Sequence, residues 1–277
     1  MEMLRYKVFS TTKSISFEKP VIVMLHGLGG GFSNWHDQVR ELKNHFDLLL
    51  IELPSHGRSP VKMSDLEISY KQLCGKIIEV LDHLGIQKAH FAGVSFGTIL
   101  VKYILLYHPE RVDKYVLAAP LGSLGFLTRS VIAIVRYLLP VLSRKVVVKL
   151  ITVVLMPSKL SKNSREIFLA TAKRLSRKDL IAYCKLLLLF KRIQKTFLRR
   201  MKNQDNGLYL IGDLDYVFLP TLKEEAKSVK NMVIIPDAGH VCNIDQPAAA
   251  NRHIISFLSV DTSVQEADIA AAASAQS

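Results

Sequence analysis

Cysteine is scarce: three residues, Cys74, Cys184 and Cys242, stand at wide and unpatterned spacing. They supply neither a disulfide framework nor a zinc-ligand spacing, and a reducing compartment is the expectation. Long apolar runs are missing too. The start, Met1-Glu2-Met3-Leu4-Arg5-Tyr6-Lys7, lacks the basic-then-apolar layout of a secretory signal, and the first apolar run, Val21–Leu25, is too short for one. Residues 130–156 are apolar but interrupted by Arg136, Pro140, Arg144, Lys145 and Lys149, so no window of about 20 residues suits a bilayer-crossing helix. The expected location is therefore cytoplasmic, including the membrane surface that faces the cytosol. The glycine-rich stretch Gly27-Leu28-Gly29-Gly30-Gly31 has no Gly-x-Gly-x-x-Gly spacing and no Lys-Ser or Lys-Thr after it, which argues against a phosphate-cradling loop.

Acids are lacking in one region. Between residues 128 and 205, 19 Lys or Arg stand against Glu166, Asp179 and Asp205, a surplus of 16, whereas the whole chain carries +13. The basic character belongs to that segment, and any partner that charge implies should bind there. Its cations are interleaved with aliphatic residues and few aromatics, and no recognition module for nucleic acid is present.

What the chain does have is a globular composition, 49% apolar and 22% charged over 277 residues, enough for one large α/β domain with an insertion. Residues 4–10 and 15–18 alternate loosely and predict an opening hairpin. Runs at 21–26, 48–53, 89–92 and 115–119 predict buried strands, separated by predicted helices at 33–44, 66–84 and 98–105. The alternation stops near Leu121 and resumes at 207–212 and 231–236, with a last helix at 248–258. Residues 1–122 and 207–260 therefore form the expected core, and 123–206 an inserted helical segment. Residues 261–277, ending in Ala-Ala-Ala-Ser-Ala-Gln-Ser, form a tail expected to be disordered.

In a parallel sheet, functional groups gather in loops after the strands. Gly93-Val94-Ser95-Phe96-Gly97 lies between a strand and a helix, the setting of a nucleophile elbow, where small neighbours permit the sharp turn that exposes a serine. Asp213 and Asp215 follow another strand and His240 the last one. The order Ser, Asp, His is one of the known triad orders.

These residues, together with His26-Gly27-Leu28-Gly29-Gly30, Glu52-Leu53-Pro54-Ser55-His56-Gly57-Arg58-Ser59, His108-Pro109-Glu110-Arg111-Val112, Gly212-Asp213-Leu214-Asp215 and Asp237-Ala238-Gly239-His240, resemble the signatures of the α/β-hydrolase fold family, its carboxylesterase and monoacylglycerol-lipase-like members in particular. The resemblance covers roughly residues 20–122 and 207–258, with Glu52 standing where relatives usually have Asp. It implies a mostly parallel sheet covered by helices on both faces, a helical cap over residues 123–206, and a serine hydrolase of carboxylic esters. It implies Ser95 as nucleophile, His240 as base and Asp215, in preference to Asp213, as the acid that orients the imidazole. The oxyanion hole would use the backbone N–H groups of Leu28 and Phe96. Neither a metal nor an organic cofactor is implied. The same triad would also serve C–C cleavage or lyase chemistry on an acidic small molecule, or an ester on an acyl carrier protein. A non-catalytic receptor or scaffold on this fold is a further alternative. His26 and His56 read as loop-shaping groups, Cys242 as a small buried hydrophobe, and Asp237 as a turn former.

The insertion offers one more pattern. Residues 181–202 read as a basic amphipathic helix, with Lys191, Lys195 and Arg199 at four-residue steps and Leu186, Leu187, Phe190, Ile193, Phe197 and Met201 as an apolar stripe. Lys173 and Arg177 repeat the step earlier. Three readings stay open: a solvated cap whose apolar faces line an acyl pocket, a helix lying in an anionic membrane interface, or a surface for an acidic carrier protein or anionic substrate.

Overall fold

The computed structural model describes residues 2–10, 14–123, 126–139, 141–201, 205–225 and 229–260. The tail expected at 261–277 lies outside the described residues. Among the described residues, seven strands form one sheet: β1 (Tyr6–Phe9), β2 (Val21–Leu25), β3 (Asp47–Ile51), β4 (Ala89–Val94), β5 (Val112–Ala118), β6 (Gly207–Gly212) and β7 (Asn231–Ile235). Their order is β1-β3-β2-β4-β5-β6-β7, parallel throughout except for β1, which runs antiparallel to β3. The chain moves outward from β2 to β3 and then crosses back to β4, so β2 and β4 flank the point where the strand order reverses. Loops after those two strands are where such sheets bind ligands.

The helices are α1 (His36–Leu42), α2 (Tyr70–His83), α3 (Phe96–Tyr107), α4 (Phe126–Leu138), α5 (Arg144–Leu155), α6 (Lys162–Ala172), α7 (Arg177–Arg200), α8 (Leu219–Glu225), α9 (Cys242–Asp245) and α10 (Pro247–Leu258). Every residue of β2, β3, β4 and β6 is buried, which explains why their sequences run apolar without alternation. The pleat divides them between two layers. Val21, Val23 and Leu25 share a core with Leu73 and Ile77 of α2 and Ile99 and Leu100 of α3. Ile22 and Met24 face the other way, toward Trp35, Leu42 and the Ala250, Ile254 and Leu258 stripe of α10.

The opening hairpin does not form. β1 pairs instead with β3, Tyr6 opposite Ile51 and Phe9 opposite Leu48. Residues 15–18 have too little alternating apolar surface to hold a ladder, and the Ser16 amide and hydroxyl donate to the Asp47 carboxylate at 2.9 and 3.0 Å.

Between β5 and β6 the chain runs through α4 to α7, and none of its described residues is in a strand. Here α7 starts earlier than its sequence pattern suggests, because Ser176 and Asp179 form a capping box at its N-terminus. Its apolar stripe is not a free face. Leu186, Phe190, Ile193 and Phe197 are buried, α7 packs against α3, and only the opposite face with Lys191, Lys195 and Arg199 is exposed. The physical reason lies in α3, which is apolar on nearly all sides and needs cover on the side away from the sheet. Lys173 and Arg177 do not share a helical face either, since Lys173 follows the end of α6 and Arg177 opens α7.

A buried lysine sits in the α3–α7 contact. Lys102 Nζ donates to Gln194 Oε1 at 2.8 Å and to the Leu121 carbonyl at 3.1 Å, and Gln194 Nε2 donates to Glu225 at 2.6 Å. Burial pulls the Lys102 pKa down to about 8, with Glu225 opposing the shift. No helix among the described residues is long and apolar enough to cross a membrane.

Candidate active site

Ser95 occupies the turn from β4 to α3 with φ 50° and ψ −114°, a left-handed conformation that costs a non-glycine residue about 1–3 kcal/mol. Its neighbours must be glycine for packing reasons. A Cβ on Gly97 would lie 2.1 Å from the Leu25 carbonyl oxygen, and one on Gly93 would lie 2.7 Å from the Gly97 backbone. The start of α3 is thereby pressed against the end of β2, and the Ser95 amide continues the sheet by donating to Ala118 O at 3.1 Å.

Ser95 Oγ lies 2.9 Å from His240 Nε2, and His240 Nδ1 lies 2.8 Å from Asp215 Oδ2. A carboxylate can only accept, so Nδ1 carries the proton and Nε2 is left to accept from the serine hydroxyl. Asp215 and His240 are both buried, and the other Asp215 oxygen accepts from the Phe218 amide at 3.1 Å. Asp213 does not reach the imidazole; its carboxylate accepts from the Ala238 amide and shapes the loop before His240. Asp237, exposed with φ 56°, forms that loop's turn.

The loop after β2 is held by two histidines. The Leu53 amide donates to His26 Nε2 at 3.1 Å, so His26 Nδ1 bears the proton it shares with Gly27 O. The Gly29 amide donates to His56 Nε2 at 2.9 Å, and His56 Nδ1 bonds Pro54 O. Both rings must therefore be neutral. Burial pulls the His26 pKa down to about 4, against the Gly27 carbonyl, and holds His56 well below its ordinary value with help from the charge of His26. With the Gly29 amide used by His56 and the Gly30 amide by Gly27 O, the Leu28 N–H is the loop donor beside Ser95. Phe96 is the first residue of α3, so its N–H belongs to the donors a helix leaves without an internal partner. Leu28, Ser95 and Phe96 line one cavity together.

That cavity is about 440 Å³. Its walls come from the core through Leu121, Val217 and Phe218, and from α4, α5 and α7 through Ile132, Ile151, Leu155 and Leu187. Apart from Ser95 and Cys184, every lining side chain is a hydrocarbon. Phe218 also packs its ring 5.1 Å from that of His240. The wall residues of the insertion escape sequence reading, because an apolar position on a helix looks the same whether it lines a cavity or fills a core. Cys242 takes no part: it is buried, its Sγ bonds Leu210 O, and burial pushes its thiol up to about 12.

The cationic residues Lys173, Arg177, Lys191, Lys195 and Arg199 are all exposed, and none lines the cavity. Hydrogen bonds tie the insertion to the loops below it, one of them from a cation, Arg174, to Gly57 O at 3.1 Å. The Thr171 hydroxyl of α6 donates to Gly29 O, Tyr183 OH of α7 donates to Pro54 O at 2.8 Å, and Ser55 Oγ donates to Asp179 at 2.7 Å. Glu52, buried, accepts from Arg5 and from the Arg58 amide and supports the same loop.

Comparison with known proteins gives a matching picture. The family described as alpha/beta hydrolase fold matches residues 20–144. A pimeloyl-[acyl-carrier protein] methyl ester esterase of Aeromonas salmonicida is 33% identical over 110 residues, 38% of this chain and 41% of that protein. For other curated relatives the matched share of their own length runs from 26% to 63%. Among solved structures, an esterase from Exiguobacterium antarcticum superposes with a TM-score of 0.76 at 15% identity, covering 93% of this chain and 96% of the other. The enol-lactonase from Burkholderia xenovorans LB400 does so with a TM-score of 0.73 at 20% identity, covering 93% and 96%. At these identities the structural likeness speaks for the fold.

Proposed function

We propose that this chain, whose residues 20–144 match the alpha/beta hydrolase fold family, is a serine hydrolase of carboxylic esters with an apolar, lipid-like acyl or alcohol part. Ser95 Oγ attacks the ester carbonyl while His240 Nε2 takes its proton, and Asp215 steadies the imidazolium that results. The N–H groups of Leu28 and Phe96 receive the oxyanion of the tetrahedral intermediate. The alcohol leaves with the proton held by His240, giving an acyl-enzyme. A water activated by the same imidazole then releases the acid and restores Ser95. No step calls for a metal or an organic cofactor. Residues 123–206 serve as a cap over the core of residues 1–122 and 207–260.

The observation that carries this reading is the cavity at the serine. A volume of about 440 Å³ walled by hydrocarbon at a serine that reaches a buried His–Asp pair favours an acyl chain. It disfavours lyase or C–C chemistry on an acidic small molecule, because among the described residues no cation lines the cavity to hold a carboxylate. Reaction with a fluorophosphonate tests the nucleophile. Stoichiometric labelling of wild-type protein, absent in Ser95→Ala together with turnover of medium-chain esters, is expected. No labelling would favour a receptor or scaffold, and turnover retained by Ser95→Ala would rule the mechanism out.

A further inference from the structure

The apolar surface that the insertion leaves exposed gathers on α4 and α5, whereas among the large apolar residues of α7 Leu189 is the one exposed. Along α5, Val146, Leu150, Val153 and Val154 recur at helical spacing on the outward side, and all are exposed, Val153 by 59%. Ile134 and Tyr137 of α4 are 54% and 72% exposed, and Val141 follows them at 81%. Three of these residues have a second role. Ile134, Leu150 and Val154 also line the Ser95 cavity, so its mouth lies within this apolar surface. Lys145 and Lys149 stand beside the α5 stripe, exposed, and Arg129 is exposed on α4. The sequence from 126 to 155 holds five cations and no acid.

We propose that the outward faces of α4 and α5 dock on an anionic lipid surface, with the mouth of the Ser95 cavity opening into it. An apolar stripe bordered by cations matches the two layers of such a surface, acyl chains and acidic headgroups. A second copy of the chain fits less well, since a twofold contact would set these cations against each other with no acid to offset them. An acidic protein would pair with the cations but leave the apolar stripe against a polar surface. Docking here would pass a lipid ester from bilayer to serine without exposing its acyl chain to water. Only that last step rests on the ester-hydrolase reading.

Co-sedimentation of the full chain with vesicles tests the surface without using turnover. Binding is expected to vesicles of equal parts phosphatidylglycerol and phosphatidylcholine, weakening with salt, and to be much poorer with phosphatidylcholine alone. Val146→Asp/Val153→Asp changes two side chains outside the cavity lining and should reduce partitioning about tenfold or more. Lys145→Gln/Lys149→Gln should reduce it about fivefold per charge removed. Neutralising Lys191, Lys195 and Arg199 on α7 should change it little. Circular dichroism and fluorophosphonate labelling verify that each variant keeps its fold. Equal binding to both vesicle types, or wild-type binding by the Val146/Val153 pair, would overturn the proposal. So would a larger loss from the α7 variant, self-association abolished by the Val pair without vesicle binding, or retention of an acidic carrier protein in place of vesicles. Vesicle binding that behaves as expected in a protein with no esterase activity would leave the docking surface standing and remove the ester reading.

Discussion

At the carboxyl end of the sheet, Ser95, Asp215 and His240 sit on backbone with no slack: a Cβ on Gly97 has no room, and the loop after β2 is pinned by two buried imidazoles. In α4 and α5, the helices that form the cavity's far wall, apolar side chains stand in the open and the sequence from 126 to 155 carries cations and no acid. The first region meets the demand of chemistry, which is position. On the proposed reading, the second meets the demand of selection and delivery, which is shape and surface. The joint between α3 and α7 is polar and buried, through Lys102, Gln194 and Glu225.

The contrast predicts where substitutions hurt. The largest effect should come from Asp215→Asn, which keeps the shape but turns the wrong face of the imidazole chemistry toward Ser95; kcat should fall about 10⁴-fold. Asp213→Asn should cost far less, because that carboxylate accepts from the Ala238 amide while Asp215 holds the imidazole. A comparable loss in both variants, read from steady-state kinetics, would erase the distinction drawn between the two acids.

Acid should next dismantle the loop after β2. His26 titrates at about 4 in the folded protein and near 6.5 when unfolded, so the unfolded chain binds more protons between those values. Stability is then fully present above pH 6.5 and declines as pH falls toward 4, by about 3 kcal/mol for this residue alone. His56, also depressed by burial, adds to the decline. Urea unfolding across that window should show the loss in the wild type, and a flat profile would contradict the neutral-ring assignment.

The joint should respond in the opposite range. Lys102 titrates at about 8 folded against about 10.5 unfolded, so the unfolded state again binds more protons, here between those two values. The stability of wild type relative to Lys102→Met should rise with pH across that window, by up to about 3 kcal/mol. A difference that stays constant would mean that Lys102 is not desolvated as its burial implies. The smallest effect belongs to the far wall. Ile151→Trp should lower kcat/KM for long acyl esters about tenfold through overpacking and leave short esters unchanged; equal loss for both would place the acyl chain elsewhere.

Sequence and structure agree where local chemistry dictates position. Glycines around Ser95, and acid and base in the loops after successive strands, are features a chain must display in its letters. The β2 to β6 runs are equally plain, since burial on both faces favours apolar residues, with Asp47, His90 and Lys114 as buried exceptions. Other features depend on neighbours distant in sequence. The apolar stripe of α7 leaves a lipid-facing reading open beside a pocket-lining one until α3 is seen beneath it, and residues 15–18 read as a strand until Asp47 takes their hydrogen bonds. Lys102 is a lone cation in the apolar run of α3, and its partner Gln194, 92 residues on, follows from no spacing in the sequence.

The most direct test of a hydrocarbon-walled acyl site at Ser95 is kcat/KM for a series of esters that differ only in acyl length, measured below their micelle limits. Each added methylene should raise kcat/KM by up to about fourfold, the worth of one buried CH₂, until the cavity is full. A value that stays flat or falls from the shortest acyl group onward would contradict the account.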